Sequence, residues 1–133
     1  MEEEIKFKHF MPAQIRFSDV DQFGHVNNSV YFQLYDLAKT TYFKDVLGMS
    51  EWGDVVVVVA NINANFLMPV FFSDDIEIET ATVQLGNKSF TLLQRAIVKS
   101  HCSPQHITQV VIPWPRVCAW ATREQEYGCL DFC

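Results

Sequence analysis

The sequence predicts an α+β domain in which one long helix packs against an antiparallel sheet. A helical pattern of apolar residues occurs over about residues 29–47, and it is followed by segments that alternate between apolar and polar residues. The two-residue turn signal Gly86-Asn87 lies between two of these segments, so they are expected to pair as a hairpin. One helix followed only by strands is typical of an α+β arrangement.

Length and composition indicate that residues 1–133 form a single domain. Of the 133 residues, 49% are hydrophobic and 20% are charged, which allows a real core and excludes intrinsic disorder. The longest aliphatic run, Val55–Ala60, is too short to span a membrane, so no membrane partner is expected. The net charge of −6 argues against a general nucleic-acid binder. The acidic start of the chain lacks the layout of a signal peptide, which predicts a cytoplasmic protein.

The first strand is predicted over residues 5–17, where apolar residues alternate with lysine and arginine and where Pro12 interrupts the run. Residues 18–28 are polar and contain Gly24, which predicts a loop that carries reactive side chains.

The helix is expected to begin near Ser29, with Asn27, Asn28 or Ser29 as its N-cap, and to end at Leu47. Gly48 follows at the position of a left-handed C-terminal cap. The apolar stripe is wide, so we expect the helix to be covered on most sides.

Several strands should follow the helix. The predicted strands are residues 55–60, 61–66, 75–85, 89–99, 107–112 and 116–121. The first of these is continuously apolar, as in a strand buried on both faces, whereas the second places Asn61, Asn63 and Asn65 on one face. The last two flank a break at Pro113 and Pro115, because two prolines at same-face positions remove two backbone donors.

Residues 101–133 differ in composition from the rest and contain all four cysteines. A zinc site built from His101, Cys102, His106 and Cys118 is conceivable, but the spacing contains no compact Cys-x-x-Cys pair. Scattered reduced thiols are the simpler interpretation, so no metal and no cofactor are expected.

Two sequence blocks, at residues 21–31 (DQFGHVNNSVY) and 65–78 (NFLMPVFFSDDIEI), resemble the signature of hotdog-fold acyl-thioester hydrolases. This family includes the 4-hydroxybenzoyl-CoA thioesterase type and the plant acyl-carrier-protein thioesterases. The segment 87–90 (NKSF) resembles the start of the family's fourth strand, and the likeness covers about residues 9–100. It implies a hotdog fold, in which a curved antiparallel sheet of about five strands wraps the helix. In that fold the fifth strand lies inside the sheet.

The resemblance also implies which residues hydrolyse a thioester. It places the catalytic carboxylate at Asp21, as a general base to water or as a nucleophile, although a turn-making role is the ordinary alternative. It assigns the backbone N–H of Asn28, at the positive end of the helix dipole, to the developing oxyanion. His25 matches a catalytic histidine of the plant enzymes, but Phe23 replaces their asparagine, so His25 acts either in catalysis or in loop packing.

Five further residues are predicted to contact the substrate. Gly24 lets the backbone approach the thioester, although an ordinary turn glycine is the alternative, and Asn27 lies in the same loop. Asn63 lines the pocket at the dimer seam, or else belongs to a solvated face. Lys88 precedes the fourth strand and Ser89 begins it, where some relatives bind CoA phosphates, although a solvated lysine is the ordinary alternative.

The predicted function is therefore hydrolysis of an acyl-CoA to the free acid and CoA. An acyl-carrier-protein thioesterase is the first alternative, although an acidic chain mildly favours CoA over an acidic carrier. A catalytically silent acyl-binding hotdog subunit is the second. A homodimer or homotetramer is expected, because Val55–Ala60 is an apolar edge that a monomer would leave bare.

Overall fold

The computed structural model describes residues 5–47, 59–86, 89–100 and 103–113. Within these ranges the elements are β1 (His9–Ala13), a 3₁₀ turn (Phe17–Asp19), α1 (Asn28–Leu47), β2 (Asn61–Phe66), β3 (Ile76–Leu85), β4 (Ser89–Val98) and β5 (Ser103–Pro113). The strands form a single antiparallel sheet in the order β1-β3-β4-β5-β2, and α1 packs on one face of this curved sheet. The predicted α+β hotdog arrangement is confirmed.

Strand β1 is shorter than predicted, because it covers residues 9–13 and not 5–17. Pro12 lies inside β1, opposite Glu77 of β3. Since β1 is an edge strand of the described sheet, the missing N–H of Pro12 is tolerated there. The chain then turns, since the Asp19 carboxylate accepts a hydrogen bond from the backbone N–H of Arg16 at 2.8 Å. That hydrogen bond holds the 3₁₀ turn at Phe17–Asp19, where the predicted strand was to end.

Helix α1 begins at Asn28, one residue before the predicted start, and it faces the sheet with buried residues at three- and four-residue steps. These residues are Tyr31, Tyr35, Ala38 and Tyr42. The expectation that the helix is covered on most sides is wrong, because its outer face is open in the described part of the chain. Leu37 is 57% exposed there, beside exposed Asp36 and Thr40.

The β3–β4 hairpin is confirmed, with Leu85 opposite Phe90 at its closed end. Both strands turn alternate residues toward α1, and the buried face is apolar at its margins, as at Ile78 and Ala96. Three polar residues from neighbouring strands, Thr80, Gln94 and Thr108, lie buried at the centre of the same face. The buried face of the sheet is therefore apolar at its margins and contains polar side chains at its centre.

Strand β5 lies inside the sheet, between β4 and β2, as the resemblance implies. It begins at Ser103, earlier than the predicted Ile107, because a register shift beside Ala96 accommodates Pro104. Its last residue is Pro113, opposite Ser89, where the predicted break begins. Pro115 and the predicted strand 116–121 lie outside the described residues.

Strand β2 forms one edge of the sheet. The predicted strand 55–60 lies outside the described residues except for Val59 and Ala60, and the N–H of Ala60 donates to the carbonyl of Val111 at 2.8 Å. The β2–β5 ladder therefore continues one residue before β2 begins. None of the helices in the described ranges has the length and apolar character that crossing a membrane requires.

Candidate active site

The polar loop between β1 and α1 is anchored by the first of its two aspartates. Asp19 is only 3% exposed, and its carboxylate accepts hydrogen bonds from the Arg16 guanidinium at 3.0 and 3.3 Å. The hydrogen bond from Arg16 holds the pKa of Asp19 below its ordinary value. The carbonyl of Asp19 also accepts from the N–H of Asn27 at 2.8 Å. Asp19 therefore joins the two ends of the loop and has a structural role.

Asp21 is exposed, and only one of its carboxylate oxygens is engaged. Its Oδ1 accepts hydrogen bonds from the N–H groups of Phe23 and His25, at 2.9 and 3.1 Å. No group among the described residues donates to Oδ2. Gly24 closes this turn with a φ of 80°, a conformation that favours glycine, and its N–H donates to the carbonyl of Asp21 at 3.0 Å. The loop thus orients the carboxylate and leaves one oxygen available.

His25 and Val26 fasten the loop to the segment that follows β2. The ring of His25 packs edge-on against Phe71, with centroids 5.1 Å apart, and the N–H of Val26 donates to the carbonyl of Val70 at 2.8 Å. This contact brings together the two blocks that carried the family resemblance.

The amino end of α1 faces the same region. Asn27 is its N-cap, because its Oδ1 accepts from the N–H of Ser29 at 3.2 Å and its carbonyl from the N–H of Val30 at 2.9 Å. The N–H of Asn28 has no acceptor among the described residues. Free N–H groups at the positive end of a helix dipole favour a negatively charged oxygen.

Asp21, His25 and Asn28 line one cleft of about 350 Å³ between the loop, the start of α1 and the end of β2. The remaining lining residues are Val26, Tyr31, Phe66, Leu67, Met68 and Pro69. One part of the cleft therefore carries a carboxylate, an imidazole and a free N–H, and the other part is mainly apolar. Such a site can deliver a base or nucleophile to a carbonyl carbon beside a bound apolar chain.

The other predicted substrate contacts lie elsewhere. Gly24 and Asn27 belong to the same loop but do not line the cleft, and Asn63 is exposed on β2. Ser89 is half-buried at the start of β4, also apart from the cleft, and Lys88 lies outside the described residues.

The lining residues Tyr31 and Phe66–Pro69 were not predicted as site residues. The available signal was the apolar run Phe66-Leu67-Met68 at the end of an alternating strand. In the structure these residues are 47%, 51% and 59% exposed, which is typical of a binding surface. Of the four residues considered for zinc, His106 alone falls in the described part, and no cluster there of three His, Cys, Asp or Glu residues could hold a metal ion.

Comparison with known proteins assigns a family to this arrangement. Residues 23–103 match the family described as the thioesterase superfamily, which is more than half of the chain. An uncharacterized protein, YsmA of Bacillus subtilis (strain 168), is 33% identical over 89 residues, or 67% of this chain and 60% of that relative. The chain thus spans about 60% of the length of this relative.

Two solved structures have the same fold at similar sequence distance. A thioesterase from Thermus thermophilus, complexed with coenzyme A and Zn, has a TM-score of 0.71 and 27% identity, over 82% of this chain and 85% of that one. A candidate acyl-CoA thioesterase from Xanthomonas campestris has a TM-score of 0.70 and 27% identity, over 83% of this chain and 95% of that one.

Proposed function

The chain belongs to the thioesterase superfamily, and from this premise we propose that it hydrolyses acyl-CoA thioesters to the free acid and CoA. The observation that carries the proposal is the position of Asp21, His25 and Asn28 in one cleft with an apolar extension. The reaction requires an activated water or nucleophile, a group that polarises the carbonyl and a surface that binds the substrate. Each requirement has a candidate in this cleft.

Asp21 is the group that starts the reaction, through its free Oδ2. As a general base, it takes a proton from water while the water oxygen bonds to the thioester carbon, and the collapsing intermediate expels the CoA thiolate, which takes up that proton. As a nucleophile, it bonds to the same carbon and expels the thiolate, and water then cleaves the mixed anhydride. Both routes give the same acid and thiol.

Asn28 and His25 assist either route. The backbone N–H of Asn28 donates to the carbonyl oxygen as negative charge develops on it, and the helix dipole strengthens that interaction. His25 orients the water or donates to the same oxygen from the other side of the loop. The acyl chain lies along Tyr31 and Phe66–Met68, where apolar burial provides affinity.

CoA is the favoured carrier. Both solved relatives support it, since one is a thioesterase complexed with coenzyme A and the other a candidate acyl-CoA thioesterase. The net charge of −6 is unfavourable for docking an acidic carrier protein. In this proposal Lys88 contacts a CoA phosphate beside Ser89, and Asn63 lines the pocket at the dimer seam.

The active assembly in this proposal is a homodimer, which can pair further into a tetramer. Two copies pair along β2, which is an edge strand of the described sheet, and the predicted strand 55–60 is expected to take part in the same pairing. Ile62 is 44% exposed on β2, and the exposed run Phe66–Met68 adjoins it, so pairing at this edge would cover apolar surface.

The test is a panel of acyl-CoAs of different chain length and aromaticity, with a thiol-reactive dye to report released CoA. Hydrolysis of at least one member is expected, and Asp21→Asn is the matched control for contaminating esterases. Release from acyl-carrier-protein thioesters alone would favour the carrier-protein alternative. Binding of acyl-CoA without release from any thioester would instead identify a silent acyl-binding subunit.

A further inference from the structure

A buried histidine lies directly behind the apolar wall of the cleft. His106 on β5 is fully buried and pairs in register with Phe66 on β2. Its ring stacks on Tyr31 with centroids 4.4 Å apart at 12°, and it contacts the ring of Phe66 at 4.3 Å. Tyr31 and Phe66 both line the cleft. One layer of aromatic rings therefore separates His106 from the proposed acyl site.

The hydrogen bonds of Tyr35 favour one of the two neutral tautomers of His106. The Tyr35 hydroxyl donates to the carbonyl of His106 at 3.0 Å, and the Nδ1 of His106 lies 2.6 Å from the same hydroxyl oxygen. A hydroxyl has one hydrogen, so both contacts are satisfied together only when Nδ1 carries the proton and donates. Nε2 is then an acceptor, and it is buried with no partner among the described residues.

Two more unsatisfied atoms lie on the same face of the sheet. Gln94 pairs in register with Thr108, next to the Ala96–His106 pair. The amide nitrogen of Gln94 donates to the Tyr35 carbonyl at 3.1 Å and to Thr80 Oγ1 at 3.2 Å, which leaves its Oε1 as an acceptor. Gln94 Oε1 and Thr108 Oγ1 are buried without a partner in the described part of the chain.

These atoms define the ligand that would suit them. Two are acceptors, and the Thr108 hydroxyl can both donate and accept, so a bound hydroxyl group complements them. A buried polar atom without a hydrogen-bond partner is energetically unfavourable, which favours occupation of this place. Burial also lowers the pKa of His106 to about 4, so the ring stays a neutral acceptor near neutral pH.

We propose that His106, with Gln94 and Thr108, forms a polar end to the acyl site that binds a hydroxyl group, and so selects acyl chains that carry a hydroxyl at their distal end. In the complex the hydroxyl is supplied by the acyl chain. Phe66 is 47% exposed on an edge strand, so in this proposal rotation of its side chain opens the path to the buried ring, with loss of its ring contacts with Tyr31 and Phe32. This inference rests on the proposed acyl-CoA hydrolysis.

The kinetic test compares pairs of acyl-CoAs of equal chain length, with and without a distal hydroxyl, over a series of lengths. At the length that reaches His106, the parent should favour the hydroxylated member about fivefold in kcat/KM, the effect of one net hydrogen bond of about 1 kcal/mol. His106→Phe keeps an aromatic ring in the stack and should abolish this preference while hydrolysing the plain member. Equal kcat/KM across every pair in the parent would overturn the proposal.

His9→Phe is the matched control. His9 is also buried, with its Nε2 bonded to Asp45 at 3.0 Å and its Nδ1 unpartnered among the described residues. Its ring packs against Tyr42, which does not line the cleft. The preference for the hydroxylated member should survive in this variant. Loss of the preference in both variants would assign it to general loosening of the core and overturn the specific role of His106.

A second readout does not depend on hydrolysis. In ¹⁵N NMR of histidine-labelled protein, His106 is recognised as a ring that remains neutral in mild acid, with Nδ1 protonated. Its bare Nε2 resonance should shift on addition of the hydroxylated acid and not of the plain acid. A protonated Nε2, or a bare nitrogen bonded only to water whichever acid is added, would overturn the proposal. If no acyl-CoA is hydrolysed but this shift occurs, the proposed reaction fails and the hydroxyl site stands.

Discussion

At the scale of single residues, the two aspartates of the loop have opposite environments. Asp19 is buried and bonded to Arg16, whereas Asp21 is exposed at the cleft with one oxygen free of protein partners in the described ranges. A carboxylate that is already paired is a poor base or nucleophile, since its negative charge is stabilised in place. The environment therefore favours Asp21 for the chemistry and Asp19 for the structure.

Asp21→Asn should reduce kcat by about 10²- to 10⁴-fold, or about 3–5 kcal/mol of activation free energy, because it removes the base or nucleophile. KM should change far less, since the carboxylate acts mainly in the transition state. His25→Ala should cost less than Asp21→Asn if His25 only orients the water. Thiol release measures these effects after circular dichroism has shown unchanged folding, and activity of Asp21→Asn within about threefold of the parent would contradict the assignment.

Asp19→Asn is the structural counterpart. It weakens the hydrogen bonds that join the ends of the loop, so it should lower the free energy of unfolding by roughly 1–3 kcal/mol. Urea titration measures this loss. A variant with unchanged stability would show that Asp19 does not anchor the loop.

His106 should make the stability of the fold depend on pH. Its pKa is about 4 in the native protein against 6.5 for a free side chain, so only the unfolded chain takes up this proton between those values. Its contribution is complete above pH 6.5 and is lost on acidification, by about 1.4 kcal/mol per pH unit. Between pH 6.5 and about pH 5 the loss is about 2 kcal/mol. The unfolding free energy, measured by urea titration at several pH values, should fall more steeply on acidification for the parent than for His106→Phe. Equal slopes would contradict the predicted pH dependence.

At the scale of elements, the start of α1 depends on Asn27. Its side chain caps the helix through the N–H of Ser29, and its N–H bonds to Asp19. Because the loop and the helix meet here, the position of the Asn28 N–H depends on this cap.

Asn27→Ala should therefore lower the free energy of unfolding by about 1 kcal/mol, and thermal or urea unfolding measures the loss. Asn27→Asp retains a capping oxygen and is the matched control, which should unfold like the parent. If Asn27 acts only as a cap, Asn27→Asp should also retain full activity. Reduced activity with normal stability in that variant would instead support the predicted contact with substrate.

At the scale of the whole molecule, the position of β2 at one edge of the described sheet predicts self-association. The chain has a mass of 15.3 kDa, so light scattering at micromolar concentration should give about twice or four times that value. Ile62→Lys places a charge at this edge and should shift the protein toward monomer, while Leu37→Lys, on the open face of α1, should not. A parent protein that scatters only as a monomer would contradict the predicted assembly.

The sequence by itself determined the elements and the polar loop. Residues 29–47 follow a helical period, and residues 61–66, 75–85 and 89–99 alternate or flank a turn signal, patterns that arise from contacts within a few residues. The predicted strand 5–17 was too long, since β1 covers only His9–Ala13 and a 3₁₀ turn held by Arg16 and Asp19 follows it. The motif at residues 21–31 also indicated Asp21, His25 and Asn28, whose place in one cleft agrees with the proposed chemistry although their roles stay predictions.

Tertiary structure decided which side chains share a surface and which lose contact with water. The cleft joins the start of α1 to Phe66–Pro69, and His106 meets Tyr35 across 71 residues of sequence, so no local pattern could connect them. The same holds for the loop aspartates, which look equivalent in the sequence and differ because only Asp19 is buried beside Arg16. Burial and hydrogen bonding depend on packing between distant segments. That packing gives Asp19 a structural role and leaves Asp21 available, and it makes His106 a neutral, buried acceptor.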